Sequence, residues 1–223
     1  MFCKTHNNYK IEPFILLIFS CERYKHKTIQ QKENWLNKFQ SLPYYIPYFH
    51  VFGNPQLTTD YIIDETERTL HVKVEDDYNS LPKKVIAAYD AIYKEFSFKY
   101  IFKTDDDQDL NNIIFLEKIQ HILLNKTPKV HYGGFIVNVD KPYLSDYHKV
   151  HPELPKHLPI LQTHYCSGRF YILSDLAVQQ LISKRTSIET EYLEDYAIGL
   201  NLHPTLKKYI LNIETNKYFV DFI

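Results

Sequence analysis

The chain has 223 residues, 44% of them hydrophobic, which is enough to bury the core of one large domain or two small ones. Only 5 glycines and 11 prolines occur, which excludes a collagen-like repeat and argues against extended disorder. A formal net charge of −1 gives no general attraction to nucleic acid or to an anionic membrane, so local charges must hold any anionic ligand.

The first third of the chain alternates apolar strands with helical patterns. Residues 14–19 form a continuous apolar run that predicts a buried parallel strand, because the run is too short to cross a membrane as a helix. Residues 44–52 predict a second strand, and residues 69–74 alternate like a half-exposed one. Between the first two strands, Ile29, Leu36 and Phe39 are predicted to share one helical face, with Trp35 beside them.

Ser80-Leu81-Pro82 marks the start of the next helix, with Ser80 as the N-cap and an early proline. The predicted buried face of this helix consists of apolar residues at helical spacing: Val85, Ala88, Tyr89, Ile92 and Phe96. A short buried strand at residues 100–102 then runs directly into the acidic residues Asp105, Asp106 and Asp107.

The second half continues the alternation. Its predicted elements are a helix at 112–124, a strand at 130–132, a strand at 170–173, a helix capped by Ser174 and a strand at 209–213. Residues 138–164 are rich in His, Pro and Tyr without periodicity, which predicts a long functional loop or lid. The class is therefore α/β, with a mostly parallel sheet flanked by helices.

Three adjacent carboxylates follow the strand at 100–102. Ligands of open α/β sheets bind beyond the carboxyl ends of strands. Carboxylates at Asp105, Asp106 and Asp107 repel one another unless a cation compensates them, and Mg²⁺ or Mn²⁺ would bridge them to a diphosphate. The alternative is a solvated acidic turn that caps the following helix. The triplet by itself does not decide between these interpretations.

Six motifs occur in a fixed order along residues 14–200. The first is an apolar strand ending at Ser20 and followed by a basic helix with Lys27, Lys32 and Trp35. The other five are Glu75 to Lys84, which contains Leu81-Pro82-Lys83-Lys84, then Tyr100 to Asp107, Tyr132-Gly133-Gly134, Tyr165-Cys166-Ser167-Gly168, and Glu194-Asp195 to Gly199. This order resembles glycosyltransferase family 31, the β1,3-galactosyl- and N-acetylglucosaminyltransferases with the Fringe proteins.

The resemblance implies a GT-A type, Rossmann-like fold in a single catalytic domain spanning residues 1–223. Residues 10–107 would form the nucleotide-binding half and residues 108–223 the acceptor-binding half. It also implies a UDP-sugar donor, Mn²⁺ or Mg²⁺ as cofactor, inversion at the anomeric carbon, and a glycan or glycoconjugate acceptor.

The resemblance further implies roles for individual residues. Asp195 would be the base that accepts the acceptor proton, with a charged first helical turn as the alternative reading. Asp107 would be the main metal ligand and Asp105 a second one, with Asp105 and Asp106 near the ribose and donor sugar. The other implied donor-binding residues are Ser20, Arg23, Lys83, Lys103, Gly133, Gly134, Ser167, Gly168 and Glu194.

Two features depart from the family pattern. The family carries a later histidine that completes the metal site, whereas the only later histidine here is His203, close to Asp195. The family's luminal members have a membrane anchor and disulfide cysteines, whereas Cys3, Cys21 and Cys166 cannot all pair within one chain. These features predict a soluble cytoplasmic enzyme of bacterial or viral type, with no transmembrane segment and no nucleic-acid partner.

Two other functions are compatible with an acidic cluster after a strand. A nucleotidyltransferase would share the cluster, but it usually has a glycine-rich basic loop near the first strand, and residues 20–23 contain no glycine. A non-catalytic sugar-binding relic of the fold is the second alternative, against which the presence of both Asp107 and Asp195 argues. Metal-dependent turnover distinguishes the relic from the enzyme.

Overall fold

A computed structural model describes residues 10–222 of the chain. The strands in chain order are β1 (Lys10–Ile11), β2 (Phe14–Phe19), β3 (Tyr48–Gly53), β4 (Tyr61–Asp64), β5 (Thr69–Val72), β6 (Phe96–Ser97), β7 (Tyr100–Asp105), β8 (Gln108–Leu110), β9 (Tyr132–Val139), β10 (Tyr143–Ser145), β11 (Leu158–Ile160), β12 (Thr163–Ser174), β13 (Leu211–Asn212) and β14 (Phe219–Asp221). The α-helices are α1 (His26–Asn34), α2 (Leu81–Glu95), α3 (Ile114–Asn125), α4 (Asp175–Ile182), α5 (Arg185–Glu189), α6 (Glu194–Asn201) and α7 (Pro204–Lys207).

Eight of these strands form one central sheet in the order β13-β9-β12-β7-β2-β3-β5-β4. Four of its seven neighbouring pairs are parallel, including β2 with both β3 and β7. The antiparallel pairs are β12 with β7, β12 with β9, and β4 with β5. Strands from both halves of the chain therefore belong to the same sheet.

The central strand β2 explains why residues 14–19 are continuously apolar. Successive side chains of a strand point to opposite faces of the sheet. Ile15 and Leu17 pack into the core on the face covered by α2, while Phe14 and Leu16 pack into the core on the opposite face with α3. Both faces of β2 are thus buried. A strand that alternated polar and apolar residues would place its polar side chains in one of the two cores, which explains why β2 is apolar throughout.

The helical pattern after β2 is confirmed in part. Trp35, Leu36 and Phe39 are buried as predicted, but Ile29 is 60% exposed, so its placement on the same face is wrong. The α-helix ends at Asn34, and the chain continues from Trp35 as a 3-10 helix over Leu36–Ser41. This change of helix type rotates the later residues inward relative to Ile29.

Both predicted helix starts after the first third are confirmed, by different means. Ser174 caps α4, since its hydroxyl accepts a hydrogen bond from the Ala177 amide at 3.2 Å. Ser80 precedes α2, but its side chain makes no capping bond. Instead the Asp77 carboxylate accepts a bond from the Ser80 amide at 2.7 Å.

The segment 138–164, predicted to be an unpatterned loop, contains regular structure. Strand β9 extends into it as far as Val139, β12 begins at Thr163, and β10 pairs antiparallel with β11 between them. The strands β10 and β11 have three residues each, too few to show a period of two. Over residues 10–222, no helix is both long and apolar enough to cross a membrane.

Candidate active site

A cleft of about 910 Å³ opens beyond the carboxyl ends of β2 and β7. It receives side chains from the turn after β2, the segment before α2, the acidic triplet, the 143–153 segment, β12 and the start of α6. This position agrees with the rule that parallel sheets place ligands beyond the carboxyl ends of their strands. Its volume lies within the ~300–1,000 Å³ usual for small-molecule sites.

The three adjacent acids adopt three different environments. Asp105 ends β7 and receives a hydrogen bond from the Lys103 ammonium at 2.6 Å. Asp106 is buried and accepts a 2.7 Å bond from the Ser20 hydroxyl, while the Lys27 ammonium lies 3.5 Å from its other oxygen. Asp107 is half-buried and accepts a bond from the Gln108 side chain at 2.8 Å. The triplet is therefore not a simple solvated turn.

Lys103 joins the acidic triplet to the start of α6. Its side chain is 1% exposed, and its ammonium lies 2.6 Å from Asp105 Oδ1 and 3.0 Å from Glu194 Oε2. It also donates to the Gly168 carbonyl at 2.8 Å. The buried Tyr171 hydroxyl donates a further bond to Glu194. These contacts occupy the ammonium, so Lys103 holds the floor of the cleft together.

Asp195 lies at the first turn of α6 and lines the cleft. One carboxylate oxygen accepts a bond from the Gly168 amide at 3.0 Å, and the other accepts one from the Tyr196 amide at 2.7 Å. A side chain added at Gly168 would lie 3.2 Å from the Lys103 ammonium and 3.5 Å from Asp105. A side chain at this position would therefore crowd the buried Lys103 ammonium, which glycine avoids.

Burial changes the proton affinities of this cluster. It raises the pKa of Asp105 to about 6, although the neighbouring Lys103 charge opposes the shift. Burial also raises the pKa of Asp195, although the Lys103 charge and the hydrogen bonds from the Tyr196 and Gly168 amides act to lower it. Burial disfavours the charged form of Lys103, but Asp105 and Glu194 outweigh it and hold the Lys103 pKa above its ordinary value. Perturbed carboxylates in a cleft are typical of functional sites.

The turn after β2 is held by a second ion pair. The buried Lys84 ammonium lies 2.5 Å from Asp76 and donates to the Ser20 carbonyl at 2.8 Å. Asp76 in turn accepts bonds from the amides of Glu22 and Gly53. One carboxylate thus ties together the ends of β2 and β3 and the segment before α2. This network supports the position of Arg23, which lines the same cleft.

Most of the site residues predicted from the sequence lie together in this cleft. The cleft-lining members are Ser20, Arg23, Lys103, Asp105, Asp106, Asp107, Ser167, Gly168, Glu194 and Asp195. The prediction that Lys83 binds the donor needs correction. Lys83 is exposed on α2 and lies outside the cleft, whereas its neighbour Lys84 lines the cleft. Lys84 is the last residue of the Leu81-Pro82-Lys83-Lys84 motif, and its buried position on α2 distinguishes it from Lys83.

Gly133 and Gly134 were also predicted to bind the donor, but neither lines the cleft. Both lie within β9, in register with β13 and β12. A Cβ at Gly133 would meet Leu211 at 3.0 Å, and one at Gly134 would meet Cys166 at 2.7 Å. The absence of a side chain at these positions lets the neighbouring strands pack closely.

The sequence patterns did not indicate that Tyr78, Tyr143, Tyr147, His151 and Tyr165 meet as an aromatic wall of the cleft, although Tyr78 and Tyr165 lie within two of the motifs. The Tyr78 and His151 rings stack with their centroids 4.2 Å apart and an interplanar angle of 12°. Arg169 is a further missed residue, which lines the cleft and pairs with Asp221 at 2.9 Å. The wall comes from segments far apart in the chain, so no local spacing indicates it.

Asp105 and Asp107 fit only an open type of metal site. Across residues 10–222, no group of three or more His, Cys, Asp or Glu side chains is placed to hold a metal ion. His203 is exposed and contacts Thr205, so it does not complete a set with the two acids. Mg²⁺ commonly binds through one or two carboxylates plus substrate phosphates, and two carboxylates lining a cleft suit that mode.

Comparison with known proteins connects this site to a family. The sequence model of the Galactosyltransferase family matches residues 29–207. UDP-GalNAc:beta-1,3-N-acetylgalactosaminyltransferase 2 of Xenopus tropicalis is 30% identical over 179 residues, which cover 78% of this chain and 34% of that protein. UDP-GalNAc:beta-1,3-N-acetylgalactosaminyltransferase 1 of Mus musculus is 29% identical over 149 residues, which cover 65% of this chain and 43% of that protein. The match thus spans less than half the length of either relative.

Among solved structures, the fold is similar to the crystal structure of a glycosyltransferase involved in the glycosylation of the major capsid of PBCV-1. The TM-score is 0.50 at 11% identity, over 90% of this chain and 82% of the other. This likeness confirms the predicted GT-A fold. The family model covers most of the chain and all of the motifs from Trp35 to Gly199. The chain therefore belongs to the galactosyltransferase family, as the order of its motifs predicts.

Proposed function

We propose that this protein is a metal-dependent, inverting glycosyltransferase that transfers a hexose or N-acetylhexosamine from a UDP-sugar to a hydroxyl of a glycan or glycoconjugate. One observation carries this proposal. Asp105 and Asp107 at the end of β7, and Asp195 at the start of α6, line the same cleft although they are distant in the chain. Metal-binding and proton-accepting carboxylates on one cavity are what this reaction requires.

In the donor half of the cleft, we place the nucleotide against the turn after β2. Arg23, Lys27 and Arg169 line the cleft and supply positive charge for a diphosphate. Asp105 and Asp107 would hold Mn²⁺ or Mg²⁺. When bound, that ion would stabilise the negative charge of the departing UDP.

In the acceptor half, Asp195 would act as the general base. Its two backbone hydrogen bonds fix the carboxylate plane, and each oxygen retains a lone pair for an acceptor hydroxyl. The acceptor oxygen attacks the anomeric carbon, the bond from that carbon to the UDP oxygen breaks, and the hydroxyl proton passes to Asp195. Its raised pKa makes Asp195 a stronger base than an ordinary aspartate.

The aromatic wall would orient the acceptor. Sugar rings present an apolar face that packs against aromatic side chains. Tyr147 and Tyr165 line the same cleft as Asp195, and Tyr78 is held by its stack with His151. An acceptor packed on this wall would keep its hydroxyl within reach of the base.

The names of the two relatives specify UDP-GalNAc as their donor. This supports UDP-GalNAc as the first donor to test, followed by other UDP-hexoses and UDP-N-acetylhexosamines. A cytoplasmic location remains a proposal that rests on the odd number of cysteines, since three thiols cannot all pair within one chain.

The direct test is a donor screen that measures release of the nucleoside diphosphate with Mn²⁺ present, with and without an acceptor panel. We expect one UDP-sugar to be turned over above the GDP- and CDP-linked donors, with activity abolished by excess chelator and restored by Mn²⁺ or Mg²⁺. Full activity in excess chelator would contradict the metal dependence. No turnover of any nucleotide-sugar would favour the non-catalytic relic.

A further inference from the structure

A second, smaller cavity lies beside the cleft and has no role in the reaction described so far. It has a volume of about 260 Å³ and is lined by residues 158–161 and 190–193 together with Tyr196. We call it the side groove. It is formed by β11, the residue that follows it, and the segment that leads into α6.

The side groove adjoins the cleft, and the two cavities share one lining residue. Leu193 lines both cavities, and Asp195 stands two residues beyond it on the cleft side. Tyr165 of the cleft packs edge-to-face against Tyr196 of the groove, with ring centroids 6.0 Å apart. A ligand whose reacting hydroxyl lies at Asp195 would have to extend past Leu193 to occupy the groove as well.

The chemistry of the side groove suits a sugar ring. Ile160, Leu161 and Tyr192 provide apolar and aromatic surface. Glu191 is half-buried in the groove, and its carboxylate has no hydrogen-bond or ion-pair partner among residues 10–222. Desolvation raises the pKa of Glu191, with no neighbouring cation to oppose it. Ligand hydroxyl groups that donate to this unpaired carboxylate would replace the water it can otherwise bind, and hydrogen bonds to a charged group are stronger than those between neutral groups.

The size of the side groove limits the ligand further. Pockets for drug-sized ligands usually measure ~300–1,000 Å³, so about 260 Å³ suits one ring and not a long chain. We propose that the side groove is a second acceptor subsite, which binds the sugar next to the one that receives the new bond, with Glu191 accepting hydrogen bonds from its hydroxyls. This proposal rests on the proposed function, and it makes the enzyme selective for acceptors of at least two sugars.

The test compares acceptors that differ only by the second sugar. A panel of β-linked disaccharides, including lactose, cellobiose and N,N′-diacetylchitobiose, is assayed against the methyl glycosides of their terminal sugars, with the donor found by the screen. The measured quantity is the ratio of kcat/KM for each disaccharide to kcat/KM for its monosaccharide. Glu191→Gln keeps the side-chain shape but removes the charge. Glu117→Gln, exposed on α3 on the other side of the sheet, is the matched control.

We expect at least one disaccharide to be preferred by about tenfold or more, because a hydrogen bond to a charged group is worth that factor in affinity. Glu191→Gln should remove most of the preference through KM, whereas Glu117→Gln should retain it. Monosaccharide transfer without preference for any disaccharide, or an unchanged ratio in Glu191→Gln, would overturn the subsite and leave the proposed function intact.

A binding experiment separates the two proposals if no donor is turned over. The same disaccharides are titrated into the isotope-labelled protein, and amide shifts of residues 190–193 are followed by NMR. Shifts that Glu191→Gln abolishes would support the side groove as a sugar site even if the transferase proposal fails. Absence of shifts with every disaccharide would overturn it.

Discussion

At the scale of single residues, Asp195 and Asp107 are two carboxylates of one cleft with different proposed roles, Asp195 as the base and Asp107 as a metal ligand. Asp195→Asn removes the base, so we expect kcat to fall by ~10²–10⁴ while affinity for UDP with Mn²⁺ is nearly unchanged. Asp107→Ala should instead weaken that affinity, because it removes a proposed metal ligand. Steady-state kinetics and calorimetric titration of UDP with Mn²⁺ measure the two effects.

Thermal unfolding of both variants is the control for folding, since Asp195→Asn also loses one of the two bonds from the Gly168 and Tyr196 amides. Near-normal transfer by Asp195→Asn would mean that this carboxylate only orients the first turn of α6. Glu194 would be a poor substitute as base, because Lys103 and Tyr171 already occupy its carboxylate.

Lys103 provides a prediction about stability. Lys103→Met leaves the buried Glu194 without its cation, and breaking a buried pair in this way costs about 3–5 kcal/mol in the free energy of unfolding. Lys94→Met is the control, because Lys94 pairs with Asp90 on the surface and should change stability by less than about 1 kcal/mol. Urea denaturation measures both, and equal effects would contradict the role given to Lys103.

His50 gives a pH dependence whose sign follows from its surroundings. It is fully buried in β3, and Gln31 donates to the carbonyls of Asp105 and Gln108, so the Gln31 oxygen must accept from His50 Nε2. Burial, helped by the charge of Lys32, lowers the pKa of His50 to about 3 from an ordinary 6.5, so the ring is neutral in the folded protein near pH 7. The unfolded chain then binds the proton first, so this group lowers stability as pH falls below 6.5.

The expected contribution is about 1.4 kcal/mol of unfolding free energy lost per pH unit between pH 6 and 4. Denaturation at several pH values measures it, with the slope of a His50→Leu variant subtracted from that of the wild type. His121→Leu, exposed on α3, is the matched control. Identical slopes for the wild type and His50→Leu would show that the buried ring accepts a proton in the folded state.

At the scale of elements, the contact of α6 with β12 positions Asp195. Gly199 of α6 lies so close to β12 that an added Cβ would be 2.7 Å from the Tyr165 Cα. Gly199→Ala should therefore destabilise the protein by about 1–3 kcal/mol, although alanine favours helices more than glycine. Gln179→Ala, exposed on α4, should change stability by less than about 0.5 kcal/mol. A stabilised Gly199→Ala would show that α6 can move away from β12.

The glycines of β9 show the same effect of packing between elements. The resemblance places Gly133 and Gly134 near a ligand, but the β-sheet register places them opposite β13 and β12. Their lack of side chains serves strand packing, which a motif alone does not distinguish from ligand approach.

At the scale of the whole molecule, donor binding should stabilise the fold, since both halves of the chain line the cleft. A ligand at 100 times its dissociation constant adds about 2.7 kcal/mol to the free energy of unfolding. We expect UDP with Mn²⁺ to raise Tm more than GDP or CDP with Mn²⁺, and excess chelator to reduce the shift. A larger shift with GDP would contradict the UDP assignment.

Local patterns in the sequence predicted much of the architecture. The apolar run of β2, the helical face of α2 and the acidic triplet after β7 are each encoded over a few neighbouring residues. The spacing of apolar residues in these segments indicates which side of an element is buried, and the change from apolar to acidic residues indicates where a strand ends. The order of the motifs added Asp195 and Gly168 to the candidate site residues, because members of one family bring the same segments together in space.

Only the tertiary structure decided which of those residues share a cavity. Lys83 and Lys84 are adjacent in sequence, yet the direction of α2 buries one and exposes the other. The aromatic wall and the side groove join segments that are remote in the chain, and no local period records such a meeting. The sequence by itself therefore determined the elements and the chemistry available at their ends, whereas sheet register and helix packing determined which side chains meet. The physical reason is that the period of burial depends on residues that are neighbours in the sequence. Which residues lie close across the sheet depends instead on all the chain connections that set the order and register of the strands.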